Sequence, residues 1–381
     1  MRIALIHSFY SSLQPSGENQ AVLAQVDALR DAGHEVLLVA RYTDHESQDR
    51  GYSVRAAVGV ATGFGPDPTA DLSKFSPDVV HVHNLFPNFG TRWLSRWEGP
   101  LVATLHNFRP LCANGLLYRD GQNCTLCPDG NRVASVRYGC YHDSRIATLP
   151  LAIRNRRGPT QDAVLTRANR IIVLAERARA IYERYGVPLG EMSLVPNFVT
   201  LVNTGVQDAP VLERWVAVGR LSAEKGFAEL LQRWPEGVPL DIVGDGPLRA
   251  QLRASVSPGV RILGAMSSVE LRVALPNYTG LVFPSRWVEG AVPLVVLEAL
   301  EAGIQVEARE GNGGADLIRS AACGGVYSDQ KPGDLAAALT AARDGGGSWR
   351  ERARATWQAR FSAREWVAAT IRAYEEAGAE A

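Results

Sequence analysis

A largely apolar run, a glycine-bearing loop and a helical pattern follow one another late in the chain. The run Tyr278–Phe283 predicts a buried strand, because it is bounded by turn residues and stops at Pro284. The next helix is predicted from Pro293, which suits a first helical position, to Gly303, which suits a left-handed helix end. Its apolar face consists of Leu294, Val295, Leu297 and Leu300. A strand that passes through a loop into a helix is the unit of parallel α/β sheets, so this stretch constrains the fold strongly.

Two carboxylates lie in this stretch, Glu289 in the loop and Glu298 inside the helix. The start of a helix carries unpaired N–H groups and a positive dipole end, so the loop favours a phosphate-bearing ligand. A buried Glu298 needs hydrogen-bond donors, and the adjacent hydroxyls of a ribose would supply them. The sequence leaves open an alternative in which Glu289 caps the helix and Glu298 is solvated.

The alternation of strand and helix runs through the rest of the chain. Residues 2–8 predict a strand, a helix follows the loop around Gly17, and residues 35–40 predict the next strand. Together they form a βαβ unit of the doubly wound type. The pattern restarts with a strand at residues 215–218. Residues 51–77 carry several glycines and prolines, and we expect them to be rich in loops.

Length and composition predict two soluble domains. A chain of 381 residues is too long for one ordinary core, and we place the domains at 1–198 and 199–381. The chain is 46% hydrophobic without an apolar run long enough to span a bilayer, and its first residues lack a signal-peptide pattern. We therefore expect a cytoplasmic location. The formal net charge is +0, which gives a nucleic-acid partner no overall electrostatic support.

The turn after the strand at 215–218 carries two cations, Arg220 and Lys225, in the run G-R-L-S-A-E-K-G. Only three lysines occur in the chain, so a lysine at this position is informative. Two cations that straddle a turn into a helix can both point at one diphosphate and stabilise the charge of a departing nucleoside diphosphate. An ordinary surface pair is the alternative.

Three histidines, His81, His83 and His106, lie near the carboxyl ends of predicted strands, where open α/β sheets place their ligands. His81 and His83 project from the same face of one strand, which is compatible with a metal, but no third ligand adjoins them. We therefore interpret His81 and His83 as buried histidines that bond to a neighbouring loop.

Residues 108–143 contain four cysteines interrupted by turn signals: Cys112, Cys124, Cys127 and Cys140. A C-x2-C pair with two outlying thiolates can form a tetrahedral zinc site. A disulfide or redox pair is one alternative, and free thiols that pack the loop are another. The sequence leaves all three open.

Six arginines crowd the helix-prone segment 145–170: Arg145, Arg154, Arg156, Arg157, Arg167 and Arg170. Such a segment can rest on an anionic membrane surface, which would place the protein at the inner membrane face. It can equally be a solvated face, or a binding patch for an acidic acceptor. The sequence does not choose among these interpretations.

Three motifs resemble those of the retaining GT-B glycosyltransferases often called family 4. They are the G-R-L-S-A-E-K-G run at 219–226, G-D-G-P at 244–247, and the loop-and-helix run E-G-A-V-P-L-V-V-L-E-A. Family members usually have seven residues between the two carboxylates of the last motif, whereas Glu289 and Glu298 have eight between them. We interpret the extra residue as a loop bulge that leaves Glu289 in its role.

The resemblance covers nearly the whole chain and implies roles for single residues. His106, in T-L-H-N, resembles the T-x-H-D histidine that lies against the transferred sugar, although Asn107 replaces the usual aspartate. The implied catalytic residues are His106, Arg220, Lys225 and Glu289. The implied donor-binding residues are Gly17, Gly219, Gly244, Leu263, Gly290, Val292, Pro293, Leu294 and Glu298.

The resemblance implies an α/β GT-B fold of two doubly wound Rossmann-like domains facing a central cleft, with the acceptor site on the first and the nucleotide-sugar site on the second. The last helix, about residues 362–376, would pack back on the first domain. The implied reaction moves a hexosyl group from a UDP or GDP sugar to an acceptor hydroxyl with retention, and it requires no cofactor or metal. A GT-B sugar-nucleotide 2-epimerase and a non-catalytic nucleotide-sugar-binding protein are the alternatives. The sequence indicates neither the acceptor nor the oligomeric state.

Overall fold

The computed structural model describes residues 1–12, 16–201, 212–344 and 348–380. The chain divides into two compact units. The first is formed by Met1–Arg119, Cys124–Asn197 and Trp366–Ala381, and the second by Asp120–Asn123 and Phe198–Glu365. Each unit contains a six-stranded sheet in which every described strand pair is parallel.

The first half of the chain alternates strands and helices around its sheet. The elements are β1 (Arg2–Phe9), α1 (Gly17–Asp31), β2 (Glu35–Tyr42), α2 (Thr43–Glu46), α3 (Tyr52–Thr62), α4 (Thr69–Phe75), β3 (Val79–Asn84), β4 (Leu101–Leu105), β5 (Tyr118–Arg119), β6 (Gln122–Asn123), α5 (Ala134–Arg137), α6 (Arg145–Asn155), β7 (Arg170–Val173), α7 (Glu176–Arg184) and β8 (Met192–Leu194). The sheet order is β2-β1-β3-β4-β7-β8. Residues Ile3 to Ile6 of β1 are all 0% exposed, as expected for a parallel strand that is covered on both faces.

The loop-rich interpretation of residues 51–77 is wrong, because α3 and α4 lie there. The run between Gly51 and Gly63 is mostly alanine and valine, and both glycines take left-handed conformations at the two ends of α3 (φ +85° and +77°). The glycines therefore bound a helix instead of breaking one. Their presence in the sequence indicated turns but not the helix between them.

The second half of the chain repeats the alternation. Its elements are β9 (Leu212–Val218), α8 (Phe227–Arg233), β10 (Leu240–Val243), α9 (Arg249–Ala254), β11 (Val260–Gly264), α10 (Ser268–Ala274), β12 (Tyr278–Phe283), α11 (Leu294–Ala302), β13 (Gln305–Arg309), α12 (Gly313–Ala321), β14 (Gly324–Tyr327), α13 (Asp334–Asp344), α14 (Ser348–Arg360) and α15 (Ala363–Glu380). The sheet order is β11-β10-β9-β12-β13-β14. Both units are thus Rossmann-like, and the predicted fold class is confirmed.

Most of the final helix, α15, belongs to the first unit. Its Tyr374 is 1% exposed, and the Tyr374 hydroxyl lies 2.7 Å from Nδ1 of His81. Glu376 accepts a hydrogen bond from the Arg170 guanidinium (Nε to Oε2, 2.7 Å). Among the described helices, none combines the length and the apolar content needed to cross a membrane.

Candidate functional site

Tight glycine turns join the ends of β9 and β10 in the second unit. The Gly219 N–H donates to the Val243 carbonyl (3.0 Å), and the Leu221 N–H donates to the Asp245 carbonyl (2.9 Å). A Cβ on Gly244 would overlap the Gly219 carbonyl oxygen, so only glycine fits at that position. Close backbone packing at the carboxyl ends of β9 and β10 is therefore sufficient to explain the glycines of the G-D-G-P motif, without a bound ligand.

Lys225 and Glu289 form the central contact of the second unit. Their Nζ and Oε1 atoms are 2.7 Å apart, and the Glu289 side chain is only 5% exposed. The Ser285 hydroxyl donates to the same oxygen at 2.9 Å, and the Trp287 ring centroid lies 5.2 Å from the ammonium. The buried carboxylate is therefore compensated by one charge and one hydrogen bond. Glu289 does not cap the following helix, because the residue at the cap of α11 is Pro293.

Gly226 explains how the Lys225 turn reaches this loop. It takes a left-handed conformation (φ +74°) between the short turn Ala223–Lys225 and α8. A Cβ at Gly226 would overlap the carbonyl oxygen of Pro284, at the end of β12. The K-G pair in the sequence is thus needed for the turn to lie against the strand end.

Arg220 is exposed, and its side chain has no hydrogen-bond or ion-pair partner among the residues that the structure covers. It follows Gly219 at the end of β9. The guanidinium is therefore available to a ligand, whereas the Lys225 ammonium is already paired. The structure places Lys225 and Glu289 together but records no contact between Arg220 and either residue.

Glu298 is buried on α11, which excludes the solvated alternative. Its side chain accepts a hydrogen bond from the Ser268 hydroxyl (3.1 Å), and the residue is 6% exposed. Burial raises the pKa of the Glu298 carboxyl, and the Ser268 hydrogen bond and the nearby Arg272 charge partly oppose this effect. Gly303 ends the helix in a left-handed conformation (φ +72°), as the sequence predicted.

The other predicted donor residues differ in how exposed they are. Gly290 and Val292 are buried in the loop before α11, while Pro293 and Leu294 are half-buried at its start. Leu263, near the end of β11, is 40% exposed. In the first unit, Gly17 is exposed at the first position of α1.

Three polar side chains that the sequence reading did not single out support this site: Ser268, Ser285 and Asn312. The Asn312 amide donates to the Ser285 and Arg309 carbonyls, each at 2.8 Å, while its oxygen caps α12 by accepting from Ala315 N–H. An asparagine directly before a helix is a capping signal, so Asn312 could have been found from the sequence. Ser268 and Ser285 carried no such signal.

His106 lies in the first unit, after β4, and contacts a second histidine. Its Nε2 is 3.0 Å from Nδ1 of His83, which requires one N–H and one lone pair between two neutral rings. Burial lowers the pKa of His106 to about 4 and that of His81 to about 3. His81 is bonded through both ring nitrogens, to the Tyr374 hydroxyl and to the Thr104 hydroxyl, each at 2.7 Å.

The four cysteines of the loop are free thiols. They line one small cavity of about 10 Å³. Burial raises the pKa of Cys140 to about 11 and also raises the pKa of Cys112 and Cys127, so neutral thiols are favoured at pH 7. Within the described ranges, no group of three or more His, Cys, Asp or Glu side chains is arranged to hold a metal ion. The zinc alternative is therefore not supported, and the cysteines are not joined by disulfides.

The arginines of the 145–170 segment do not act as one basic face. Arg154 pairs with Asp162 (2.7 Å), and Arg170 pairs with Glu376. Arg167 donates to the carbonyls of Leu94 and Trp97. Three of the six therefore serve contacts within the first unit, and Arg145, Arg156 and Arg157 are exposed.

Comparisons with known proteins show the family to which the chain belongs. The family model "Glycosyltransferase Family 4" matches residues 15–202, and "Glycosyl transferases group 1" matches residues 213–343. The chain is 34% identical over 119 residues to the phosphatidyl-myo-inositol mannosyltransferase of Mycolicibacterium smegmatis. That match covers 28% of this chain and only 31% of the relative.

Solved structures with the same fold cover almost all of the chain. Sucrose-phosphate synthase from Thermosynechococcus elongatus has a TM-score of 0.70 at 18% identity, with 100% of each chain covered. The lipopolysaccharide biosynthesis glycosyltransferase WaaG has a TM-score of 0.60 at 16% identity, over 97% of this chain and 98% of WaaG. Anabaena HepE in complex with UDP has a TM-score of 0.59 at 15% identity, over 98% of this chain and 100% of HepE. At these identities the likeness shows the fold alone.

Proposed function

The chain belongs to the family 4 and group 1 glycosyltransferases, and we propose that it transfers a hexosyl group from a nucleoside diphosphate sugar to an acceptor hydroxyl with retention of configuration. The observation that carries this proposal is the ion pair between Lys225, in the turn before α8, and the buried Glu289, in the loop that leads into α11. The UDP complex of HepE and the mannosyltransferase name of the curated relative support a sugar donor of this class.

Lys225, Arg220 and the start of α11 would stabilise the departing diphosphate. The bond between the sugar and the diphosphate oxygen breaks with its electrons on that oxygen, so negative charge develops on the diphosphate. An ammonium, an unpaired guanidinium and the free N–H groups of a helix start are matched to that charge. This arrangement supplies the positive charge without requiring a metal ion.

The two buried carboxylates and His106 would position the donor. Glu298 accepts hydrogen bonds from the ribose hydroxyls, and Glu289 accepts them from hydroxyls of the transferred sugar. His106 contacts the sugar as a neutral imidazole, since its pKa is lowered to about 4. Attack on the face from which the diphosphate departs gives retention, and the departing phosphate can take up the acceptor proton.

A thermal-shift screen against UDP, GDP, ADP and dTDP, with and without EDTA, tests the donor assignment. A ligand that binds only the folded state raises the melting temperature by mass action. We expect one of UDP and GDP to raise it clearly, with no change on addition of EDTA. A shift that disappears in EDTA would contradict the metal-free site, and no shift with any diphosphate would refute the donor assignment.

Substitution of Glu298 by Gln is expected to weaken nucleoside diphosphate binding about tenfold, because one charged hydrogen-bond acceptor for the ribose is lost. Calorimetric titration with the diphosphate and its 2′-deoxy analogue measures the effect. Removal of the 2′-hydroxyl from the ligand should cost less affinity in Glu298→Gln than in the natural protein, because the hydrogen bond between Glu298 and that hydroxyl is already weakened in the variant. Equal sensitivity to the 2′-hydroxyl in both proteins would show that Glu298 does not contact the ribose.

A further inference from the structure

The first unit contains a cavity of about 230 Å³ that His106 helps to line. One water molecule needs a cavity of only about 10–15 Å³, so this cavity is large enough for a ligand of several heavy atoms. The wall combines neutral histidine rings, an apolar part and several arginines. The apolar part includes Val60, Leu85, Phe86, Phe89 and Val164.

The cavity wall is strongly basic. Its charged residues are four arginines, Arg109, Arg154, Arg156 and Arg157, and one acid, Asp162. Four positive charges less one negative charge leave a formal excess of three. Asp162 is already satisfied, because Arg154 donates to its Oδ2 at 2.7 Å and the Val164 N–H donates to its Oδ1 at 3.0 Å. Three arginines therefore have no acidic counterpart in the wall.

Arg109 is the most informative of these arginines because it is only 8% exposed. It donates to the Ala113 carbonyl (3.1 Å) and the Tyr10 hydroxyl (3.3 Å), and its guanidinium lies 4.1 Å from the Phe86 ring centroid. Its Nε is buried without a partner, and no carboxylate within the described ranges pairs with it. A buried guanidinium without a counter-charge is costly, and an oxyanion bound in the cavity would remove that cost.

A neutral hydrogen-bonding group lies in the same wall. His83 and His106 both line the cavity, and Nε2 of His83 is buried without a partner. Burial lowers the pKa of both rings, so they stay neutral at pH 7. A neutral ring nitrogen is suited to a hydroxyl, whereas a guanidinium is suited to a phosphate or carboxylate.

We propose that this cavity binds the acceptor, and that the acceptor is a small polyol bearing an oxyanion, phosphate or carboxylate, held by Arg109, Arg156 and Arg157. The acceptor hydroxyl would then lie at the His83 and His106 end, with the apolar wall against the carbon skeleton. The assignment rests on the proposed function, because it takes the cavity to be the acceptor site of the transferase.

Calorimetric titration of the full chain with glucose, glucose 6-phosphate and glucuronate tests the proposal. We expect the two anionic sugars to bind and to weaken as salt is added, with neutral glucose at least about tenfold weaker. The stronger of the two anions identifies the oxyanion as phosphate or carboxylate. The double variant Arg156→Gln/Arg157→Gln, at exposed positions, should lose about tenfold or more of the anion affinity.

Arg145→Gln is the control, because Arg145 is exposed at the start of α6, the helix that ends just before Arg156, and does not line the cavity. It should bind the anions normally. Binding should persist in Lys225→Ala, which separates this cavity from the diphosphate site of the second unit. Any of three results would overturn the proposal. The protein could bind glucose as tightly as the anions, it could bind neither anion, or the double variant and Arg145→Gln could lose equal amounts of anion affinity. If the acceptor proposal fails in this way but UDP or GDP still raises the melting temperature, the transferase assignment stands. If the anions bind but no diphosphate raises the melting temperature, the transferase assignment is refuted.

Discussion

Replacement of Lys225 by Ala is expected to lower the turnover number for sugar transfer by about 100-fold to 1,000-fold. This is the usual effect of removing one preorganised group that stabilises the negative charge of the transition state. The Lys225 ammonium is fixed by Glu289 at 2.7 Å and lies in a turn that Gly226 holds against the end of β12. A cation held in place before the reaction needs no reorganisation as charge develops on the diphosphate. Steady-state rates at saturating donor measure the loss.

The same substitution leaves the buried Glu289 carboxylate without its counter-charge, so stability must be separated from catalysis. Removal of one partner of a fully buried ion pair commonly destabilises by about 3–5 kcal/mol, and the loss should be smaller here because the Lys225 side chain is 23% exposed. The double variant Lys225→Ala/Glu289→Gln therefore should melt at a higher temperature than Lys225→Ala while staying as slow. Near-normal turnover in a well-folded Lys225→Ala protein would remove the role assigned to Lys225.

The fold was largely predictable where a strand is a short apolar run that ends at turn residues, as at Pro284 after β12 and at Gly219 after β9. The run Tyr278–Phe283 and the helix ending at Gly303 are confirmed almost to the residue. The prediction that residues 51–77 are rich in loops is wrong for a physical reason. Glycines that begin and end a helix look the same in the sequence as glycines in a loop.

The candidate site was less accessible to sequence reasoning, because its contacts join distant residues. Lys225 and Glu289 are 64 positions apart, and nothing in their spacing indicates that they meet. The resemblance brought them together, whereas Ser285, which bonds the same Glu289 oxygen, had no signal of its own. Three of the four cavity arginines belong to the arginine-rich segment that the sequence indicates, but only the structure separates Arg154, paired with Asp162, from Arg156 and Arg157.

Two polar residues in strand β13, Gln305 and Glu307, contradict the apolar pattern of a buried strand, and the structure explains how they fit. A Cβ on Gly280 would come within 2.9 Å of the Gln305 Cγ, and one on Gly325 would overlap the Glu307 carboxyl. Neighbouring strands therefore carry glycines where these longer side chains need space. Because Gly280 and Gly325 lie far from their partners in the chain, the local sequence does not reveal this fit.

Glu307 makes the stability of the protein depend on pH. The residue is 1% exposed, its Oε1 accepts a hydrogen bond from the Gly325 N–H (3.1 Å), and its Oε2 is buried without a partner. Burial raises the pKa of this carboxyl from 4.5 to about 8. The folded chain therefore keeps the proton up to about pH 8, whereas the unfolded chain releases it near pH 4.5. This raised pKa contributes stability that is fully present below pH 4.5 and is lost as the pH rises towards 8.

Glu307→Gln is expected to raise the free energy of unfolding by on the order of 3 kcal/mol at pH 7, because the amide resembles the protonated acid and does not titrate. Melting curves of both proteins from pH 4.5 to 8.5 should nearly coincide at the acid end and separate by several degrees at the alkaline end. The exposed Glu236, changed to Gln in the same unit, removes the same formal charge and should show no such divergence. A melting difference that stays constant across this range would mean that Glu307 does not titrate between pH 4.5 and 8, and that its carboxyl is stabilised as an anion by contacts formed in solution.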